Sequence, residues 1–229
     1  MTEGGPYNPL DKINIARSIG SEVLARPVYP LSDYPNVNGD GVYAVYYVGP
    51  FPPYAPIALS NEAGSFAQPI YVGKAIPVGG RKGAEVDVLK DASKGRSLAR
   101  RLGKHAQSIE QAENLELRDF YVRYLVVDEV FIPLGERILI STFKPLWNRA
   151  LDGFGNNDVG EGRRDQERSP WDVLHPGREH ALKQPATLYS DDLLIERIED
   201  YLADRPMRPL PKRPRKPRKK ASSDKAPTL

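Results

Sequence analysis

Two short segments, each with a glycine and a tyrosine, are the first places where this sequence could carry chemistry. They read Gly41-Val-Tyr43 and Tyr71-Val-Gly73. Because side chains alternate along a strand, Tyr43 would share a face with Val45, and Tyr71 with Gly73. A phenol can exchange a proton, and a glycine beside it leaves room for a backbone or a ligand. Taken alone, each motif is better explained by tyrosines that pack inside a sheet.

An arginine and a histidine follow in a segment that we predict to be a helix over residues 97–114. Residues four apart lie about 40° apart around a helix, so Arg101 and His105 share a face beside a leucine stripe. From Lys74 to His105 there are nine Lys/Arg and three acids. A solvated helix face is the ordinary explanation for such a pair. Four other basic residues accompany this pair: Lys74, Arg96, Arg100 and Lys104.

One acid, Glu136, stands at the start of a predicted apolar helix over residues 134–143, and Trp147-Asn148 follows it. An acid in the first turn of a helix ordinarily interacts with the helix dipole, so Glu136 alone says little. A lone carboxylate can also bind a hard cation such as Mg²⁺.

The elements that must position these residues can be predicted from pattern. The predicted strands are 41–48, 69–73 and 120–131, and the remaining predicted helices are 9–25 and 191–204. The strands are rich in β-branched and aromatic residues, and the helices show apolar residues at helical spacing. Residues 29–40 and 49–68 are rich in turn-forming residues and are predicted to be loop, the second one unusually long.

Composition and charge narrow the class of protein. The chain has 229 residues and no cysteine, which excludes disulfides and thiolate zinc sites. It shows neither a membrane span nor a signal peptide, so we expect a cytoplasmic protein with no membrane partner. The segment 205–229 carries ten Lys/Arg and one acid, a charge of +9 within a total of +3, which leaves −6 for residues 1–204. A partner with phosphate groups would therefore bind local patches and the tail.

Taken together and in this order, the residues resemble the active-site layout of the GIY-YIG nuclease superfamily. Those residues are Tyr43, Tyr71, Arg101, His105, Glu136 and Asn148. The resemblance covers about residues 41–148. It implies an α/β (α+β) fold, with a small, mostly antiparallel central sheet of about three strands flanked by helices. Valine replaces isoleucine in both motifs, and residues 49–68 make the gap between them longer than usual.

The next part of the chain resembles the type II restriction enzymes of this superfamily that cut a GC-rich six-base-pair palindrome. It reads Leu151-Asp-Gly-Phe-Gly-Asn-Asn157, with Trp171-Asp and His175-Pro-Gly-Arg178 further on. This implies a bacterial cytoplasmic enzyme that acts on double-stranded DNA as a homodimer, with a target such as CCGCGG. The expected organisation is an arm (1–40), a catalytic core (41–148) with a loop insertion (49–68), a DNA-recognition and helical extension (149–204), and a disordered basic tail (205–229).

The resemblance also implies roles for the site residues. Tyr43 would take a proton from water, with Lys74, His105 or the metal favouring its ionised form. Tyr71 would orient the phosphate and Arg101 would clamp it. Glu136 would be the only protein ligand of Mg²⁺, for which Mn²⁺ may substitute, and Asn148 would support Glu136 or the phosphate. His105 has an alternative role, as a hydrogen-bond donor at the edge of the core.

Base and phosphate contacts are expected from basic and amide side chains, since arginine reads guanine and amides read adenine. The DNA-binding candidates are Arg96, Arg100, Lys104, Asn156, Asn157, Arg163, Arg164, Gln166, Arg168 and Arg178. Each is also explained as an ordinary surface residue. The alternative for the whole chain is a non-catalytic or structure-specific DNA-binding protein of the same fold.

Overall fold

The computed structural model describes residues 8–76, 95–156 and 166–211. They form an α+β fold built on one antiparallel sheet with helices on both faces. Within these ranges, no helix combines the length and apolar character that crossing a bilayer requires.

The sheet has four strands in the order β1-β4-β2-β3, and all neighbours are antiparallel. The strands are β1 (Tyr29–Pro30), β2 (Gly41–Tyr47), β3 (Tyr71–Ala75) and β4 (Phe120–Val126). The three predicted strands are confirmed, although β4 ends five residues early. β1 is a fourth, two-residue strand in a segment predicted to be loop. Its proline is tolerated because an edge strand needs fewer donors.

The helices pack on both faces of this sheet. They are α1 (Lys12–Ala25), α2 (Ala55–Asn61), α3 (Ser97–Glu110), α4 (Ile132–Phe143), α5 (Leu146–Arg149), α6 (Pro170–Leu174), α7 (Glu179–Leu182) and α8 (Asp191–Leu202). The long helices lie where apolar periodicity predicts them. The short α5, α6 and α7 are too brief to show a period, which is why the sequence did not reveal them.

The central strand β2 is buried along its whole length, so both of its faces contribute to a core. Tyr43 and Val45 face a cluster that includes the buried stripe of α3. Val42 and Ala44 face a second cluster that includes α1 and α4. The alternation of β2 therefore directs Tyr43 toward α3, on the opposite side of the sheet from α4.

Residues 49–68 are more ordered than the predicted loop. They contain α2 and two short 3₁₀ turns, and Tyr54 and Ile57 are buried in the main core. The buried Asn61 closes the segment, since its amide donates to the carbonyls of Tyr47 and Gln68 at 3.0 and 2.9 Å. Prolines suit the first turn of a helix, so the proline count that suggested a loop also fits this arrangement.

A buried hydrogen-bonded chain, here named the Tyr54 network, joins distant parts of the sequence. Trp147 Nε1 donates to the Tyr54 hydroxyl at 3.0 Å, and that oxygen lies 2.6 Å from Nε2 of His175. His175 Nδ1 lies 2.8 Å from Oδ1 of Asn114. Burial lowers the pKa of His175 to about 3, so its ring is neutral. Its Nε2 therefore accepts a hydrogen bond from the Tyr54 hydroxyl.

Candidate active site

The two glycine–tyrosine motifs meet on neighbouring strands. Tyr43 lies opposite Gly73, and Val45 lies opposite Tyr71. The two tyrosine rings are 6.3 Å apart between centroids. A side chain on Gly73 would overlap the Tyr43 hydroxyl, so the glycine makes room for the phenol itself. The motifs therefore form one site on the face of the sheet that α3 covers.

The Tyr43 hydroxyl lies between two side chains of α3. It is 2.7 Å from Nε2 of His105 and accepts a hydrogen bond from Nε of Arg101 at 3.3 Å. His105 continues the buried stripe of Leu98, Leu102 and Ile109 and is only 2% exposed. One helix thus supplies the phenol with a permanent cation and an imidazole, which are one turn apart.

Burial sets the protonation of this pair. It raises the pKa of Tyr43 well above the ordinary 10.0; nearby Tyr71 adds to the rise and Arg101 opposes it. Burial lowers the pKa of His105 well below 6.5, and the charges of Arg101 and Arg178 act in the same direction. The lowered pKa favours a neutral ring, whereas the sequence led us to expect positive charge on His105. A neutral His105 can instead accept a proton.

Tyr71 lies between groups of opposite charge. Burial raises its pKa, Arg101 lowers it, and Glu136 raises it. Arg101 comes from α3 and Glu136 from α4, so Tyr71 is the place where the two helices influence one site. Arg101 also donates from its terminal nitrogen to the carbonyl of Gly155 at 2.7 Å, which holds the guanidinium from a second side.

Lys74 and Glu136 form an ion pair, with Nζ 2.5 Å from Oε2. Lys74 is the residue after Gly73 on β3, so it points toward the face that α4 covers. Glu136 follows Gly135, where an added Cβ would lie 2.8 Å from Ile19, which shows how closely α4 packs there. The side chains are 37% and 19% exposed, so a ligand from solvent can reach the pair.

The donor set determines which metal could bind. Among residues 8–76, 95–156 and 166–211, no three His, Asp or Glu side chains are grouped to hold a metal ion. Glu136 alone would fit Mg²⁺, which keeps several waters and is bound through one or two carboxylates together with phosphate. The Lys74 ammonium is a neighbour that such an ion would have to displace or share.

Asn148 has a different neighbour from the one expected. Its Oδ1 accepts from the backbone N–H of Val72 at 2.8 Å, and its Nδ2 donates to the Val72 carbonyl at 2.9 Å. The amide thus pairs with the backbone of edge strand β3 as another strand would. Asn148 holds the strand that carries Tyr71 and Lys74, while the predicted support of Glu136 or phosphate stays a prediction.

The predicted DNA contacts divide into two groups. Arg96, Arg100 and Lys104 are exposed and four residues apart, so they form a basic row along α3. The other exposed members are Asn156 and Gln166. Asn157, Arg163 and Arg164 lie outside the described residues, as does the tail from residue 212 onward.

Two of the predicted DNA contacts have internal partners. Arg168 donates to the carbonyl of Ala181 at 2.9 Å. Arg178 is 1% exposed, forms an ion pair with Asp172 and lies over the ring of Trp171. The structure therefore does not place Arg178 where it could contact DNA.

Sequence reasoning missed the part played by residues 153–155, here called the strap. The ring of Phe154 stacks on His105 with centroids 4.3 Å apart and an interplanar angle of 17°. Gly155 supplies the carbonyl that holds Arg101. The Gly-Phe-Gly run was visible in the sequence, but its distance from both tyrosine motifs concealed its location.

A small antiparallel sheet flanked by helices thus brings a phenol, an imidazole, a guanidinium and a carboxylate near one another. A family model described as Eco29kI GIY-YIG domain matches residues 35–202. The chain therefore belongs to this family of restriction endonucleases, and DNA is its substrate. Comparison with curated proteins gives no significant match.

Proposed function

We propose that this restriction endonuclease is a type II, site-specific deoxyribonuclease that uses Mg²⁺, with Mn²⁺ as a substitute, and Tyr43 as the group that takes a proton from water. The observation that carries the proposal is the Tyr43 hydroxyl, which lies between Arg101 and the neutral ring of His105. A phenol with a raised pKa is a poor base by itself. A phenol that passes its own proton to an imidazole can still accept one from water.

In the step we propose, Tyr43 donates its proton to Nε2 of His105 while it removes one from the attacking water. The water oxygen forms a bond to phosphorus and the bond to the leaving oxygen breaks. The leaving oxygen takes a proton from solvent. No net charge accumulates on Tyr43, and His105 bears the positive charge until it releases its proton.

The other residues act on the phosphate. Arg101 can donate to phosphate oxygens and stabilise the negative charge that develops in the transition state. Tyr71 orients the same phosphate from the neighbouring strand. Glu136 would hold Mg²⁺, which supplies positive charge to the phosphate oxygens when bound. Lys74 neutralises Glu136 until then and adds a further cation to the site.

The site preference and assembly complete the proposal. A GC-rich palindrome such as CCGCGG, cut by a homodimer, follows from the resemblance described for residues 151–178, because a two-fold target calls for a two-fold enzyme. The basic row of α3 would contact the DNA backbone beside the cleavage site. Asn156 and Gln166 are the described side chains exposed for base contacts.

The test is incubation of supercoiled plasmid with the full chain and Mg²⁺. Discrete fragments are expected, with a matching pattern from linear DNA of known sequence. A smear would point to a nonspecific nuclease, and intact plasmid would point to the non-catalytic DNA-binding alternative.

The variant Glu136→Ala separates catalysis from binding. It should abolish cleavage while retaining affinity for DNA without metal, because the proposed role of the Glu136 carboxylate is to hold the metal. Undiminished cleavage by this variant would rule out Glu136 as the metal ligand. Glu129→Ala, which changes an acid just before α4 and outside the site, is the matched control and should cleave normally.

A further inference from the structure

We propose that the buried Arg178 is a positioning residue for DNA cleavage, which acts by fixing the strap against His105 and Arg101. The inference rests on the proposed function for its effect on cleavage. It also makes a claim about the state of His105 that can be measured without any cleavage.

The strap forms one wall of the active site. Phe154 covers the His105 ring by stacking, and it also packs edge-on against Tyr71 with centroids 5.0 Å apart. Gly155 approaches Tyr71 so closely that an added Cβ would lie 2.5 Å from the phenol oxygen. Together with the bond from Arg101 to the Gly155 carbonyl, these contacts tie the strap to three of the proposed site residues.

Arg178 binds the backbone of the strap. Its two terminal nitrogens donate to the carbonyls of Phe154 and Gly153 at 3.2 and 3.0 Å, and its Nε donates to Oδ1 of Asp172 at 2.6 Å. The planar guanidinium thus uses three donors at fixed angles on three acceptors. A lysine ammonium at the same place could not reach all three with that geometry.

The buried residues around Arg178 fix its guanidinium in place. Its side chain and that of Asp172 are 1% and 2% exposed, and Ser169 donates to the second carboxylate oxygen at 2.6 Å. Gly153 has φ +125, and a side chain there would overlap Ser169, so the backbone fits only as glycine. A buried ion pair is by itself weak evidence of stability. Here Arg178 also donates hydrogen bonds to the backbone of the strap.

The strap influences the protonation of His105. Stacking by Phe154 keeps water from the ring, and the Arg178 charge further disfavours the imidazolium ion. If the strap moved, His105 would gain water and its pKa would rise toward the ordinary value. It would then be protonated as the pH falls, and could no longer accept the proton of Tyr43.

The experiment uses the full chain with Arg178→Lys, which preserves the charge opposite Asp172 and so avoids an unpaired buried carboxylate. Nitrogen-15 NMR of the three histidine rings follows the protonation of each, with His175→Gln and His180→Gln used for assignment. In the original protein the His105 ring should be neutral at pH 6.5, because its pKa lies well below that ordinary value. In the variant the pKa should move toward 6.5, so that part of the His105 signal is protonated at the same pH.

Cleavage is measured with the same proteins on supercoiled plasmid and Mg²⁺ in single turnovers. Arg178→Lys should slow cleavage about 10- to 100-fold, because small displacements of catalytic groups are costly, while affinity for DNA is retained. Its rate should also fall as the pH decreases toward about 6.5, a dependence that the original protein lacks. Gly155→Ala, which pushes the strap from the Tyr71 side, should show the same two changes.

Arg197→Lys is the matched control. Arg197 also binds a backbone carbonyl, that of Ala150 at 2.9 Å, but it lies outside the strap. It should leave both the His105 signal and the cleavage rate unchanged. The inference is overturned if either readout of Arg178→Lys matches the original protein, or if the control changes as much. If the original protein cuts no DNA, the proposed function fails, and the His105 titration alone decides this inference.

Discussion

Tyr43 and His105 form a hydrogen-bonded pair that burial keeps in its neutral form. The types and order of these residues were visible in the sequence, and they predicted that Tyr43, Arg101 and His105 belong to one candidate site. Their protonation was not visible there, because it depends on burial in the folded chain and on the charges of Arg101 and Arg178. Under the proposed function, Arg101 is the cation next to Tyr43 and His105 is the proton acceptor.

The proton relay predicts a particular pattern of losses. Tyr43→Phe and His105→Gln should each reduce single-turnover cleavage by about 10²- to 10⁴-fold, because each removes one link of the same transfer. The double variant should be about as slow as the slower single variant, since groups that act as a unit are not additive. Losses that multiply in the double variant would contradict the relay. Tyr34→Phe is the control, because it removes a hydroxyl that donates a hydrogen bond to the Ala99 carbonyl outside the site.

At the scale of elements, the site depends on how closely β2, β3 and α3 approach one another. The order of these elements was predictable from alternation and helical period. The sequence did not predict what holds edge strand β3 in place. That interaction is the pairing of the Asn148 amide with the Val72 backbone, and a single side chain gives no periodic signal. The helix α2 was missed because its one proline, Pro56, lies in the first turn, where it does not disrupt a helix.

A pair of glycine variants tests this close approach. Gly73→Ala should lower the free energy of unfolding by about 1–3 kcal/mol through overpacking and should abolish most cleavage, because its methyl group would displace the Tyr43 hydroxyl. Gly103→Ala is the control on α3. Among the described residues, its added Cβ would meet only the Tyr34 hydroxyl, at 3.9 Å, so helix propensity should raise stability by about 0.5–1 kcal/mol.

Urea unfolding and plasmid cleavage measure both glycine effects. Gly103→Ala should cut DNA as the original protein does. Full activity in Gly73→Ala would show that Tyr43 does not need its present position.

At the scale of the whole molecule, charge is separated along the chain. Deletion of residues 212–229 removes eight Lys/Arg and one acid. Affinity should fall about equally on all DNA sequences, and the dependence on salt should become shallower by up to about 0.9 for each phosphate that the tail no longer neutralises. Binding titrations at several salt concentrations, on target and unrelated DNA, measure this. A changed site preference would contradict a purely electrostatic role for the tail.

The buried histidines predict sensitivity of the fold to acid. His175 has a pKa of about 3 in the folded chain, against 6.5 for an exposed ring. Between these two pH values the unfolded chain binds a proton on His175 that the folded chain does not. The contribution of the neutral His175 ring to the free energy of unfolding is therefore complete above about pH 6.5 and is lost as the pH falls toward 3. Stability should drop by roughly 1 kcal/mol per pH unit for such a residue.

Urea unfolding at several pH values tests this sensitivity. His175→Gln should flatten the acid slope of the unfolding free energy, whatever it does to stability at neutral pH. An equal slope in His175→Gln and the original protein would contradict the prediction.

The Tyr54 network also limits how such an enzyme could be re-engineered. Its side chains come from residues 49–68, from the turn after α3, from α5 and from the end of α6, and each satisfies polar atoms of another. A chain cut after residue 148 would leave Tyr54 and Asn114 facing the space of His175, so a free-standing catalytic fragment is not to be expected. A chimera that borrows residues 149–204 from a relative must supply a histidine at that place. Under the proposed function, new target preferences are expected from changes at exposed residues such as Asn156 and Gln166, within an otherwise intact chain.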